Sequence, residues 1–328
     1  MTTAAALPAI IRLPMWLIGV LRDLLVGTVL CLSPLTALLA LGWMTRRMGA
    51  TVRRRWGKPN ARPGWLIGPR DRGWIAYLFG GFAANIRNGV IAAAGLALLC
   101  LPFTVLWLGA WWAGWENSFN KGYEQATIGP AVWFLGALIS VPLLTHLPLA
   151  LAHAAVEGRF AAFFEWRRIR SLAASSGWRI AWIALLSVAL SVPFFGLRAI
   201  PVFIEGIVPE FADMTAAEQA QIAQLFDLAG AALAFVLIGF LRQRAANIYA
   251  IAVPRAANGR SAHLWTDHPA LGVPIIGRAP SRAAAILWLV IAGMIWFGLP
   301  VLMVIGQFMN YDPVLWLTHP VFLLPWSG

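Results

Sequence analysis

"MTAAEQAQIAQLFDLAGAALAFVLIGFLRQRAANIYAIAVP", Met214–Pro254, is the stretch that decides the fold. Thr215 and Glu218 form a T-x-x-E capping box, the reciprocal side-chain and backbone pairing that starts a helix. No Gly-Pro break follows until Pro254, so the spacing predicts one helix to about Val253. At a rise of 1.5 Å per residue, about 38 residues extend about 57 Å. The apolar part, near 221–241, matches the ~30 Å hydrocarbon layer of a bilayer, so both ends are expected to protrude from it.

Five more apolar segments lie near 24–43, 90–112, 131–152, 178–200 and 283–305. The chain is 60% hydrophobic and 12% charged, about half the charge of a soluble domain. Its 18 Trp residues suit the aromatic belts of membrane interfaces. The expected fold is an all-α, polytopic transmembrane helix bundle of about six apolar segments with amphipathic interfacial helices. Residues 1–23 read as an N-terminal interfacial arm, 24–305 as the bundle and 306–328 as a C-terminal interfacial tail. Within the arm, residues 8–22 form an interfacial helix in which Arg12 and Arg22 flank Trp16. The opening stretch has neither a compact basic region nor a small-residue cleavage site, so no cleavable signal is expected. Ser33-Pro34 interrupts the first segment. A single kinked crossing is favoured there over a re-entrant pair of half-helices.

Charge alternates from loop to loop. Residues 45–89, 153–179 and 242–282 hold 21 basic and 4 acidic residues. The intervening connections and the tail hold 2 basic and 8 acidic residues. The positive-inside rule places the basic loops in the cytoplasm of a bacterial inner membrane. Topology thus accounts for the net charge of +12, and no nucleic-acid partner is expected. Two basic clusters read as contacts for anionic lipid headgroups. One is Arg53, Arg54, Arg55 and Lys58; the other is Arg167, Arg168 and Arg170. The second lies in "GRFAAFFEWRRIRS", where Phe160, Phe163 and Phe164 suit a helix lying flat with its apolar side in the bilayer.

"THLPLALAHAAVEGRF", Thr145–Phe160, places His146, His153 and Glu157 on one helical face. They spread over about 16 Å of helix axis, too far for one ion, and Pro148 intervenes. His146 is therefore a buried polar candidate that needs a partner on a neighbouring helix. His153 and Glu157 read as interfacial groups facing headgroups, and Gly158 as the helix stop. His263, Asp267 and His268 have zinc-ligand chemistry, but only three ligands at no strong spacing, so a solvated loop is favoured. Cys31 and Cys100 read as packed thiols. Nucleotide-loop, metalloprotease and serine-nucleophile motifs are absent, and no acid lies deep in a span. No catalytic residue or cofactor is expected.

At "ALGWMTRRMGATVRRRWGKPNARPGW" and "LALAHAAVEGRFAAFFEWRRIRSLAASSGWRIAW" the chain resembles the bacterial and archaeal multi-pass family called domain of unknown function 4013. The shared features are Pro34, Ala40-Leu41-Gly42-Trp43, the basic run Arg53–Arg55, Pro63-Gly64-Trp65 and Gly158-Arg159-Phe160. "AANIYAIA", Ala245–Ala252, resembles the end of a later helix in that family. The resemblance covers residues 20–252 and implies a helical membrane fold without catalytic residues. Three functional classes stay open: a non-enzymatic structural, assembly or accessory subunit of a membrane complex, which leads; a transporter or lipid-handling protein; and an intramembrane cofactor- or pigment-binding protein. The expected partners are the bilayer, anionic lipids and other membrane protein subunits.

Overall fold

The computed structural model describes residues 9–58, 63–68, 73–112, 128–211, 213–266, 268, 271–275, 281–305 and 325. Eight α-helices, and no strand, occur among them: α1 (Ala9–Leu30), α2 (Pro34–Arg55), α3 (Trp74–Trp112), α4 (Ile128–Glu157), α5 (Trp166–Ser176), α6 (Trp178–Ile207), α7 (Ala216–Ala257) and α8 (Arg282–Ile305). By length and composition, α7 and residues Tyr77–Leu106 of α3 can each cross a bilayer. A third crossing follows if α5 and Trp178–Leu190 of α6, bent by 96°, count as one broken span.

Helix α7 is the axis of the bundle and packs against α1, α2, α4, α5 and α6. Its predicted start is present. The Glu218 N–H donates to Thr215 Oγ1 at 3.4 Å, and the Thr215 N–H donates to Glu218 Oε2 at 2.8 Å. The predicted stop is overrun, because the helix continues through Pro254 to Ala257. Proline has no N–H, so the Ala250 carbonyl four residues earlier loses its helical donor. The Trp56 indole, reaching from the end of α2, donates to that carbonyl at 3.0 Å.

The first apolar segment is built from two helices that meet at Ser33-Pro34. Ser33 occupies the N-cap of α2 and Pro34 its first turn, a position where the missing N–H costs nothing. Helix α1 runs through residue 23, the expected boundary between arm and bundle. Gly42 seats α2 directly on α3: a Cβ there would strike the Asn85 carbonyl. Close backbone approach of this kind is what small residues permit between helices. Cys31 and Cys100 are buried thiols in separate apolar clusters.

Gly158 ends α4 as expected, at φ +69°, and its N–H donates to Ala154 O at 2.8 Å. The chain then makes a 3-10 turn at Phe160–Phe164, followed by α5. Gly177, at φ +60°, turns it into α6. This changes the expected flat interfacial segment. Phe163, Ile169 and Leu172 are fully buried in the protein core, and only Phe160 of the expected apolar face is exposed. A protein surface is as apolar a partner as lipid, and it adds fixed packing. The expected C-terminal tail lies outside the described residues, apart from residue 325.

Candidate functional site

Two polar assemblies stand out from the apolar packing. The first lies where α4, α5, α7 and the loop after α7 meet. His153 and Tyr249 are both wholly buried. His153 Nδ1 is 2.8 Å from the Tyr249 hydroxyl, and His153 Nε2 is 2.8 Å from Glu165 Oε2. Glu165 caps α5 and also pairs with Arg168 Nη1 at 3.0 Å and with Arg159. Arg159 reaches Glu157 Oε2 at 3.4 Å, and the buried His268 lies 3.3 Å from Glu157 Oε1. Two His–Glu pairs are thus bridged by one guanidinium.

Aromatic rings close this assembly. Trp265 is fully buried and presents its ring at a steep angle to both His153, at 5.9 Å, and His268, at 5.0 Å. Its indole N–H donates to Ser171 Oγ at 3.1 Å. Arg168 donates to the Leu264 carbonyl at 2.9 Å while its guanidinium lies 5.4 Å from the Trp265 ring. The loop after α7 is thereby clasped to α5.

The His153 site lies beyond the apolar part of α4, which ends at Ala152. Burial pushes the His153 imidazole below its ordinary value, over the opposing pull of Glu165 and Glu157. The His268 ring holds the Glu157 carboxyl down to about 2, against the opposing effect of burial. Burial also works to raise Glu165, but His153, Arg159 and Arg168 together keep it below the usual carboxylate range.

The second assembly pins the segment 63–68 between α2 and α3. Arg46 donates to the carbonyls of Gly64 and Gly81 at 3.2 and 3.1 Å, and to Asn85 Oδ1 at 2.7 Å. Asn85 in turn donates to Trp65 O at 2.8 Å. Trp43 donates to Pro63 O at 3.0 Å and stacks on Trp65, with centroids 4.3 Å apart and planes 7° from parallel. Trp65 donates to Asp23 Oδ1 at 3.0 Å, which ties the segment to α1.

The structure sorts the residues singled out in the sequence. Arg54, Arg55, Lys58, Arg167 and Arg170 are exposed and Arg53 is half-buried. Arg168 departs from the lipid-contact set, because its place on α5 turns it onto Glu165 and Leu264. His146 is half-buried, 3.5 Å from Thr145 Oγ1 and with its ring 6.0 Å from that of Trp166. His153 does not face headgroups. Glu165, its partner, lies beyond the Gly158 stop, and the chain reversal there brings the carboxylate back onto the ring. His263 is exposed while His268 is buried, and Asp267 lies outside the described residues. No group of three or more His, Cys, Asp or Glu among the described residues is placed to hold a metal ion.

Sequence reasoning missed Tyr249, Glu165 and Arg46 as site residues. A 96-residue separation between His153 and Tyr249 leaves no spacing signal. Glu165 did carry one, since 153–179 holds only two acids among five arginines.

A small cavity of about 30 Å³ lies elsewhere, bordered by Leu96, Leu147, Leu151, Ile183, Ser187 and Arg242. That volume holds about two waters. No family model, curated protein or solved structure matches the chain.

Proposed function

We propose that this chain is a non-enzymatic multi-pass protein of a bacterial inner membrane, acting as a structural, assembly or accessory subunit of a membrane complex. One observation carries the reading: the polar side chains of both assemblies bond to one another and to backbone, joining helices and loops. Catalytic or transport groups would instead be aimed into a cleft. In this reading the six apolar segments cross the membrane, and the loops 45–89, 153–179 and 242–282 are cytoplasmic. Arg53, Arg54, Arg55, Lys58, Arg167 and Arg170 meet anionic headgroups, and Arg168 belongs to the clasp. The kinship with domain of unknown function 4013 is part of the proposal. It rests on the sequence motifs alone, among them Gly42, which lies at the α2–α3 contact, and Pro63-Gly64-Trp65, which lies in the pinned segment.

Two experiments test this reading. Activity reporters fused at Gly57 and Asn258 should work only in cytoplasmic form, and periplasmic activity at either site refutes the topology. Extraction in mild detergent followed by cross-linking mass spectrometry should give a partner at fixed stoichiometry, joined through defined lysine-free contacts by a carboxyl- or photo-reactive linker. A chain recovered alone and active in transporting a solute would refute the subunit role. Transport or lipid handling is the second reading, favoured by the cavity beside Arg242.

A further inference from the structure

We propose that His153 is a proton-operated latch that fixes the loop after α7 onto the ends of α4 and α5. Its two ring nitrogens are engaged in opposite senses. An ionised Glu165 only accepts hydrogen bonds, so His153 Nε2 carries the donor hydrogen. In a neutral ring Nδ1 is then the acceptor, and the Tyr249 hydroxyl donates to it. Protonation adds a hydrogen at Nδ1, so that Nδ1–H and the tyrosine O–H confront each other as two donors. The hydroxyl must turn its hydrogen away to accept from Nδ1–H, and the tyrosine O–H then loses its imidazole acceptor in a wholly buried site, with the Trp56 ring centroid 6.2 Å away.

The strain has one short route outward. Trp265 abuts His153 and anchors the loop through Ser171, and the neighbouring Leu264 carbonyl is held by Arg168. A shift of the His153 or Tyr249 ring displaces Trp265, and with it the 3-10 turn at Ala262–Leu264. Among the described residues, the charged and titratable groups around His153 are Glu157 on its own helix, Glu165 and Arg168 from α5 and its cap, and Tyr249 from α7. Arg159 acts on it through both carboxylates, and His268 through Glu157. Burial of the ring keeps it neutral at neutral pH, so the latch is closed there and opens on acidification.

The test is amide hydrogen exchange of residues 258–266 in the full chain, in mild detergent, at about pH 7.5 and about pH 5.5, corrected for intrinsic chemistry. The wild type should exchange roughly tenfold faster at the lower pH. His153→Gln, which keeps both a donor and an acceptor, should abolish the pH response. Glu165→Gln removes the carboxylate that favours the imidazolium and should move the midpoint down by about one pH unit. His268→Gln should leave the response in place. A pH-independent wild type overturns the latch, as does a response that survives in His153→Gln or vanishes in His268→Gln. Should His153→Gln fail to fold, the Glu165→Gln midpoint decides: an unchanged or raised midpoint overturns the proposal.

Discussion

Trp56→Phe is the most discriminating perturbation of the bundle, because its cost depends on a residue 198 positions away in sequence. Trp56 is 8% exposed, so phenylalanine keeps most of its apolar packing. What it deletes is the indole N–H, the donor that satisfies the Ala250 carbonyl. That carbonyl has no helical donor, since position 254 is proline. Leaving a buried acceptor unpaired costs about 1–3 kcal/mol, so the single substitution should destabilise by about 2 kcal/mol. Pro254→Ala restores an N–H that can close the ordinary helical bond to Ala250. In that background Trp56→Phe should cost only the small packing difference, about 0.5 kcal/mol. The coupling energy of the cycle is then about 1.5 kcal/mol, well above the error for independent sites. The assay is reversible unfolding of all four proteins in mixed micelles of mild and denaturing detergent, read by far-ultraviolet circular dichroism. Simple additivity of the two substitutions would refute the exchange of donors.

Gly42→Ala should destabilise by about 1–3 kcal/mol, because the added carbon meets the fixed Asn85 carbonyl; the same unfolding assay reads it, and a neutral result would show that α2 and α3 can separate freely. Changing Arg53, Arg54, Arg55 and Lys58 together to Gln should strip anionic lipid from the protein in native mass spectra, at about 1 kcal/mol per charge. Arg168→Gln should leave lipid occupancy unchanged and lower thermal stability, since that side chain holds Glu165 and Leu264. Acid should destabilise the clasp in two stages. The His153 value is lowered on folding, so its contribution is complete above its ordinary 6.5 and declines as pH falls below it. Glu157 is held at about 2 against an ordinary 4.5, so its contribution fades as pH falls from 4.5 toward 2. Melting temperature should therefore fall steadily from neutral pH to pH 4 and below; a maximum near pH 5 would contradict the sign for His153, and a rise from pH 4.5 toward pH 2 the sign for Glu157.

Local chemistry was readable from the sequence, and long-range pairing was not. The capping box at Thr215 and the stop at Gly158 each depend on residues within four positions, and both occur where expected. Ser33-Pro34, a cap residue followed by a first-turn proline, carried the signal of a helix start, and α2 begins there. His153 and Glu157, four apart on one face, read as groups facing headgroups; each instead finds a protein partner, Glu165 and His268. Within Arg167-Arg168 the charge pattern is uniform, and only the phase of α5 against the core turns one arginine inward and leaves the other exposed. The amphipathic pattern around Phe163 fits a lipid interface and a protein groove equally well, and the reversal at Gly158 decided between them.

The clasp between α4 and α7 also sets a timetable for synthesis. His153 is made 96 residues before Tyr249, an interval of about 5–20 seconds at ordinary elongation rates. Throughout that interval the nascent chain holds an imidazole, two carboxylates and two guanidiniums at the end of α4 without the helix that will cover them. Until then these groups stay open to water while the rest of the bundle is built. Arrival of α7 and of the loop after it then seals the seam, so their docking is written into the burial of Tyr249 and Trp265. A truncated product lacking α7 keeps an open polar seam, a mark by which a protease can distinguish it from the finished protein.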